Sequence, residues 1–131
     1  MRTAQDKVAD AKTRIREIGH EEMLALQQRG IPIVDVREPE EYRAGHIPGS
    51  INIPRGVLEF QVDGHPAVNC ETDPALSHRS QPIVLSCRSG ARSALAADTL
   101  RDLGFVDALS LAGGFNAWAQ AGRPVTPGDS P

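Results

Sequence analysis

The sequence predicts an α/β domain with a mainly parallel sheet. Short apolar runs of strand length alternate along the chain with segments that have the apolar spacing of helices. Glycine follows most of the helical segments, as is typical of helix C-termini. The chain has 131 residues, which is the length of one domain.

The first half of the chain contains three helical segments and two strands. Residues 3–14 predict a polar helix with few apolar positions, which would form a mobile arm. Acidic residues in the first turn and a following glycine predict a helix at residues 21–29. The apolar run 31–36 predicts a buried strand. A proline near its start predicts a short helix at residues 38–43, and residues 51–53 form a minimal strand.

The second half contains the clearest strand and the clearest helix. Residues 55–82 are interrupted by glycine and proline and predict a long excursion, with a short helix near residues 74–79. The apolar run 83–86 predicts a strand, and the helical spacing of alanine and leucine predicts a helix at residues 91–103. The last predicted strand and helix lie at residues 108–111 and 115–120.

Two boundaries divide this chain. We assign residues 1–17 to an N-terminal arm, residues 18–125 to the domain and residues 126–131 to a C-terminal tail. We expect the chain from Arg123 onward to be loose, because it carries Pro124, Pro127 and Pro131. Gly113 and Gly114 are expected to permit tight turns before the last helix.

Composition and charge exclude several classes of protein. The net charge of -3 argues against a nucleic-acid partner. No apolar run approaches the roughly 20 residues that cross a bilayer, and charges interrupt any signal-peptide core near the N-terminus. We therefore expect a cytoplasmic protein without a membrane partner. The two cysteines, Cys70 and Cys87, suggest no disulfide scaffold.

A cysteine stands directly after a predicted strand and directly before the clearest predicted helix. The first N–H groups of a helix have no partners within it, and together with the helix dipole they attract anions. Arg88 and Arg92 add positive charge, and Gly90 allows a sharp turn that brings N–H groups inward. Such surroundings stabilise a thiolate, so Cys87 is predicted to be a nucleophile.

Two electrophiles suit a thiolate in this setting: the outer sulfur of thiosulfate and phosphorus, since both carry anionic oxygens. The alternative is an inert buried thiol, because free cysteines are among the most buried residues. The arrangement strand–Cys–Arg–Ser–Gly–x–Arg–helix favours the reactive interpretation.

Four segments carry a family resemblance. They read DVREPEEY at residues 35–42, GHIPGSINIP at residues 45–54, CRSGARS at residues 87–93 and LAGGFNAW at residues 111–118, followed by GRPV at residues 122–125. In this order they resemble the rhodanese family of sulfurtransferases, with Ser50 in place of the usual alanine.

The resemblance implies a rhodanese-like domain with a five-stranded, mainly parallel sheet and helices on both faces. It implies transfer of a sulfane sulfur through a persulfide on Cys87, the catalytic residue. The loop that binds the substrate with its backbone amides would consist of Arg88, Ser89, Gly90, Ala91 and Arg92. We expect no cofactor.

The expected donor is thiosulfate or a persulfide, and the expected acceptor is cyanide or a thiol, which includes a thiol on a partner protein. Thiosulfate ranks first because a small, doubly charged anion suits the two arginines of the loop. No general base is required if the thiol is already ionised.

Two other functions stay open. Phosphatases and arsenate reductases related to this family place five residues between cysteine and arginine, whereas four separate Cys87 from Arg92. The domain could also be a sulfur relay or a regulatory module that binds a partner protein.

Polar residues near the predicted ligand edge are expected to support the loop. Asp35 and Arg37 fit a buried charge network better than direct substrate contact, and Glu41 is a candidate partner for Arg37. His46 is expected to fix the turn at residues 45–49 by hydrogen bonding.

Further cysteine and histidine residues are interpreted as incidental. Cys70 fits an incidental surface thiol better than a resolving thiol that would protect Cys87. The spacing of His65, Cys70 and His78 matches no zinc pattern, so we expect no metal.

Overall fold

The computed structural model describes residues 1–68 and 78–131. Within them, five strands form one sheet in the order β1-β5-β4-β2-β3, and every pair is parallel. The strands are β1 (Arg16–Ile18), β2 (Ile33–Asp35), β3 (Ile51–Asn52), β4 (Ile83–Ser86) and β5 (Ala108–Leu111). The predicted α/β class with a mainly parallel sheet is therefore confirmed.

Helices separate the strands. They are α1 (Ala4–Lys12), α2 (His20–Gln28), α3 (Pro39–Ala44), α4 (Leu58–Gln61), α5 (Ala91–Asp102) and α6 (Gly114–Gln120), with single 3-10 turns at Arg55–Val57, Val62–Gly64 and His78–Ser80. Strands β4 and β5 have the predicted bounds, and the other predicted elements within residues 1–68 and 83–131 agree to within a few residues. The sequence did not predict β1, α4 or the two 3-10 turns that flank α4.

Apolar side chains cover both faces of the sheet, because successive residues of a strand point to opposite sides. Leu85 of β4 packs on the face that α4 and α5 cover, together with Leu100. Val84, its neighbour in sequence, packs on the other face with Met23 of α2 and Trp118 of α6. The sheet is thus covered by helices on both faces, as predicted.

The carboxyl ends of the two central strands lie side by side. Asp35 at the end of β2 is in register with Ser86 at the end of β4. Arg37 follows the first strand and Cys87 follows the second, so both lie at the edge of the sheet where parallel α/β folds bind ligands.

The N-terminal residues, predicted to form a mobile arm, instead include a helix, α1, that packs against α5. Arg14 follows α1 and donates from Nε and Nη2 to the two carboxylate oxygens of Asp98, at 2.9 and 2.7 Å. Strand β1 spans the predicted boundary between the arm and the domain, at residues 17 and 18. The division of the chain into arm, domain and tail stays a prediction.

The C-terminal tail is held rather than loose. The backbones of His46 and Thr126 exchange two hydrogen bonds of 2.9 Å, and the amide of Gly128 donates to the carbonyl of Arg43. Trp118 Nε1 donates to the carbonyl of Pro124 at 2.7 Å. These contacts fix the path of the tail even though its prolines cannot continue a helix.

Two predictions fall outside the residues that the structure describes. Cys70 and most of the predicted helix near residues 74–79 belong to residues 69–77, which lie outside that part of the chain. Within the described part, no helix is both long and apolar enough to cross a membrane.

Candidate active site

The turn that carries the cysteine places its sulfur below the first amides of α5. Gly90 precedes α5 with a φ of 109°, a conformation that residues with a Cβ rarely adopt. In this conformation the amide of Gly90 donates to Cys87 Sγ at 3.1 Å. The turn therefore supplies a backbone hydrogen bond to the sulfur.

Several other amides of the turn are free to bind an anion. Within residues 1–68 and 78–131, the backbone N–H groups of Arg88, Ser89, Ala91 and Arg92 have no hydrogen-bond acceptor. They belong to the turn or to the first turn of α5, where the helix dipole is positive. The exposed guanidinium of Arg88 has no ion pair among the described side chains. This arrangement suits a small anionic group above the sulfur.

The sulfur is buried but lies among polar groups. Cys87 is only 1% exposed. On its inner side Sγ lies 3.4 Å from the hydroxyl of Ser93, and that hydroxyl lies 2.8 Å from the hydroxyl of Ser110. Both serines are fully buried. Neither serine was predicted to belong to the site, although a serine inside the apolar run 108–111 is a visible signal.

The start of helix α6 is hydrogen-bonded to the turn that carries the cysteine. The amides of Phe115 and Asn116 donate to the carbonyls of Cys87 and Arg88, at 2.8 and 3.0 Å. Gly114 makes this contact possible, because a Cβ at that position would lie 2.4 Å from the carbonyl oxygen of Cys87. Gly114 is needed both for its positive φ and for the close approach of its backbone to Cys87. The sequence predicted the tight turn but not the close approach.

A pair of opposite charges stands beside the turn. Arg92 donates from Nη1 and Nη2 to the two carboxylate oxygens of Glu41, at 2.7 and 3.0 Å. These hydrogen bonds lower the pKa of Glu41 to about 2, with a smaller contribution from the amide of Glu38, and they raise the pKa of Arg92. The predicted pairing of Glu41 with Arg37 is wrong, because helix α3 points Glu41 towards the start of α5.

A second charged pair lies deeper, below the first. Arg37 donates to both carboxylate oxygens of Asp35, with Nη2 to Oδ2 at 2.7 Å, and its Nη2 also donates to the carbonyl of Gly45 at 2.8 Å. The guanidinium lies 4.5 Å from the ring centre of Phe115 in α6. The side-chain amide of Asn52 donates to the carbonyls of Asp35 and Arg37. This network joins β2, β3, α3 and α6 beneath the turn.

His46 lies in the same buried layer, at the end of α3. Its Nδ1 is 2.9 Å from the carbonyl of Tyr42, its Nε2 is 2.8 Å from the carbonyl of Ser130, and its ring stacks on that of Tyr42. These contacts join α3 to the C-terminal tail. The hydrogen bonds of the ring are made to these segments rather than within the turn at residues 45–49.

Two cavities differ in their relation to the turn. A cavity of about 250 Å³ is lined by Arg88, Arg37, Glu41 and Phe115, beside the cysteine. A larger one of about 610 Å³, lined by Glu59 and residues of α5, includes no residue of the turn. The smaller cavity is therefore the one of the two that includes a residue of the cysteine turn, Arg88.

No metal centre is found in the part of the chain that the structure describes, where no three His, Cys, Asp or Glu side chains cluster. His65 uses its Nδ1 to accept a hydrogen bond from the amide of Ala67. The predicted absence of a metal stays a prediction, since Cys70 lies outside the described residues.

Comparisons with known proteins agree on one family. The model of the rhodanese-like domain matches residues 19–121. The thiosulfate sulfurtransferase GlpE of Pseudoalteromonas translucida is 36% identical over 101 residues, which cover 73% of this chain and 80% of that protein.

Two solved structures have similar folds. The human single-domain sulfurtransferase TSTD1 is 31% identical, with a TM-score of 0.66, covering 79% of this chain and 95% of that one. A Rhodopseudomonas palustris protein of unknown function, described as a possible tyrosine phosphatase, is 34% identical, with a TM-score of 0.77 and 96% of both chains covered.

Proposed function

The chain belongs to the rhodanese-like family, and on that premise we propose that it is a sulfurtransferase whose sulfur carrier is Cys87. The observation that carries this proposal is the position of Sγ, which accepts a hydrogen bond from the Gly90 amide and lies next to backbone N–H groups that have no acceptor among the described residues. A negative sulfur and an anionic substrate are stabilised by the same dipoles.

The first half-reaction loads the cysteine. The Cys87 thiolate attacks the outer sulfur of thiosulfate, an S–S bond forms to Cys87, and the S–S bond of thiosulfate breaks. Sulfite leaves with the electron pair of the broken bond, and the terminal sulfur of the persulfide carries one negative charge. The total charge of thiolate and thiosulfate equals that of persulfide and sulfite, so no proton has to move.

The second half-reaction removes the sulfur from the Cys87 persulfide. Cyanide, or a thiolate, attacks the terminal sulfur, and the electron pair of the persulfide bond returns to Cys87 Sγ. The product is thiocyanate or a new persulfide. Since the donor product leaves before the acceptor reacts, the kinetics are ping-pong.

Burial of the cysteine restricts the donor. Because Cys87 is only 1% exposed, its sulfur can attack a donor only if the atom to be transferred stands at the end of the donor molecule. The outer sulfur of thiosulfate is terminal, and so is that of a persulfide. The names of the sulfurtransferase relatives support thiosulfate as the first donor to test.

The loop and its supporting residues have separate roles in this proposal. The backbone amides of residues 88–92 and the Arg88 guanidinium hold the anionic oxygens of the donor. Glu41 holds Arg92 at the rim of the site, that is, beside the turn and the small cavity. Asp35 and Arg37 form the buried pair that supports the edge of the sheet. His46 is a structural support between α3 and the tail.

The acceptor and the location in the cell are parts of the same proposal. A thiol acceptor, on a small molecule or a partner protein, would need a compartment in which thiols stay reduced, and this favours the cytoplasm. A relay in which the acceptor is always a protein thiol uses the same chemistry. Turnover with cyanide compared with turnover with a protein thiol distinguishes these cases.

Phosphate transfer is the rival chemistry, and the description of the Rhodopseudomonas protein makes it worth testing. Here only four residues separate Cys87 from Arg92, and Arg92 is held by Glu41 at the rim. A shorter loop suits one sulfur atom above the thiolate better than a tetrahedral phosphate.

Mass spectrometry after treatment with thiosulfate tests the proposal directly. We expect the reduced, folded protein to gain the mass of one sulfur atom at Cys87 and to lose it on addition of cyanide. The Cys87→Ser variant should gain none, whereas Cys70→Ser, the same substitution at the other cysteine, should load normally. Failure of the wild type to load with thiosulfate or a persulfide, or Cys87-dependent release of phosphate from phenyl phosphate, would overturn the assignment.

A further inference from the structure

We propose that Ser110 is a positioning residue for the reaction, which acts through Ser93 to keep a hydroxyl proton directed at Cys87 Sγ. The proposal rests on the proposed function in one respect, namely that the reactive form of Cys87 is a thiolate. Ser110 lies in β5 and Ser93 in the first turn of α5, so the two hydroxyls join strand and helix beneath the sulfur.

The direction of the hydrogen bonds follows from the number of protons. A thiolate accepts hydrogen bonds and donates none, so the hydroxyl 3.4 Å from Sγ must donate its single proton to the sulfur. The oxygen of Ser93 is then available only as an acceptor for the second hydroxyl, 2.8 Å away. The hydrogen bonds therefore run from Ser110 to Ser93 to Cys87.

The neutral thiol permits the opposite direction. Sγ–H can donate to Ser93, whose proton then turns towards Ser110. Without Ser110, no other hydrogen bond to Ser93 Oγ among residues 1–68 and 78–131 keeps the Ser93 proton on the sulfur side. Removing the Ser110 hydroxyl should therefore destabilise the thiolate form of Cys87 more than the thiol form. Hydrogen bonds to a charged group are the stronger ones, and hydrogen bonds in a chain of hydroxyls reinforce one another.

Ser86 provides an internal comparison. It is also a fully buried serine at a strand end, one residue before the cysteine, yet its hydroxyl has no hydrogen-bond partner among the described residues. Ser110 is in register with Leu85, so Ser86, the next residue of β4, points to the opposite face of the sheet. Ser110→Ala and Ser86→Ala thus each remove one buried serine hydroxyl. The first hydroxyl belongs to the hydrogen-bonded chain that leads to Cys87, and the second does not.

The test measures alkylation of Cys87 by iodoacetamide as a function of pH, in protein that carries Cys70→Ser so that one thiol reacts. We expect Ser110→Ala to move the midpoint of the pH–rate profile upward by about half to one pH unit. Ser86→Ala should leave the midpoint unchanged. Urea unfolding of both variants checks that they are folded to the same extent.

A second pair of variants tests whether the effect passes through Ser93. Ser93→Ala should raise the midpoint at least as much as Ser110→Ala, and adding Ser110→Ala to it should cause no further shift. An unchanged midpoint in folded Ser110→Ala would overturn the proposal. So would a Ser110→Ala shift that is equally large in the wild-type and the Ser93→Ala backgrounds. Thiosulfate loading of the wild type in the same experiment reports separately on the proposed function.

Discussion

Two arginine–carboxylate pairs lie within one region of the molecule and differ mainly in burial. The side chains of Arg37 and Asp35 are 5% and 3% exposed, whereas those of Arg92 and Glu41 are 34% and 30% exposed. Both pairs include a short contact of 2.7 Å. The deep pair joins β2 to α3 and α6, and the rim pair stands beside the turn that holds the cysteine.

The difference in burial determines how much each pair contributes to the stability of the fold. Charges in a buried pair cannot be solvated if one partner is lost, so breaking such a pair is costly. Charges in a half-exposed pair are screened by water, and the pair contributes little to stability. The rim pair retains an influence on any ion that enters the cavity, because Glu41 lines it together with Arg88.

The largest expected effect is on stability, at the deep pair. Asp35→Asn removes the charge that compensates Arg37 and should lower the free energy of unfolding by about 3–5 kcal/mol. Urea unfolding monitored by Trp118 fluorescence measures it. Glu41→Gln is the matched substitution at the rim and should cost only about 0–1 kcal/mol. Similar losses in the two variants would show that burial does not distinguish the pairs.

A smaller effect concerns pH and the rim pair. The pKa of Glu41 is lowered from 4.5 to about 2, so folding favours its ionised form. A lowered carboxylate pKa stabilises the folded state fully above the pKa of the unfolded chain, and the contribution is lost as the pH falls towards the folded value. The difference in unfolding free energy between wild type and Glu41→Gln should therefore be constant from neutral pH to about pH 5.5, shrink as the pH falls further and vanish below about pH 2. A difference that grows on acidification would contradict this sign.

The smallest expected effect is on the choice of donor. Near the turn, the carboxylates of Asp35 and Glu41 offset two of the three guanidinium charges and leave that of Arg88. Glu41→Gln adds net positive charge at the rim, which should favour doubly charged thiosulfate over singly charged methanethiosulfonate by about threefold in kcat/KM. Glu40→Gln, an exposed neighbour with the same change of charge, is the control. An equal change for both donors would show that the rim charge does not select between them.

Sequence reasoning located the turn because its signals are local. An apolar run, a cysteine, a glycine and a long helix follow one another, and each is interpreted from its neighbours in sequence. The partner of Glu41 could not be found in this way, since the contact depends on how α3 and α5 lie across the sheet. Strand β1 was missed because only Ile18 of its three residues is buried, which leaves no alternating pattern.

The arm and the buried serines show the same limit. The helix at residues 3–14 was predicted, but its packing on α5 uses one buried residue, Ala11, and the hydrogen bonds of Arg14 to Asp98. Ser110 was visible as a polar residue in an apolar strand. Its meaning depends on a hydroxyl in another element, seventeen residues earlier in the chain.

The hydrogen bonds from α6 to the cysteine turn bear on the order of synthesis. A ribosome releases Cys87 well before Phe115 and Asn116, whose amides hold the carbonyls of the turn. A nascent polypeptide that ends before Gly114 carries the sulfur without the peptide groups that orient the turn around it. The turn therefore acquires its full set of backbone hydrogen bonds only after residues 114–116 have been synthesised and α6 has folded against it.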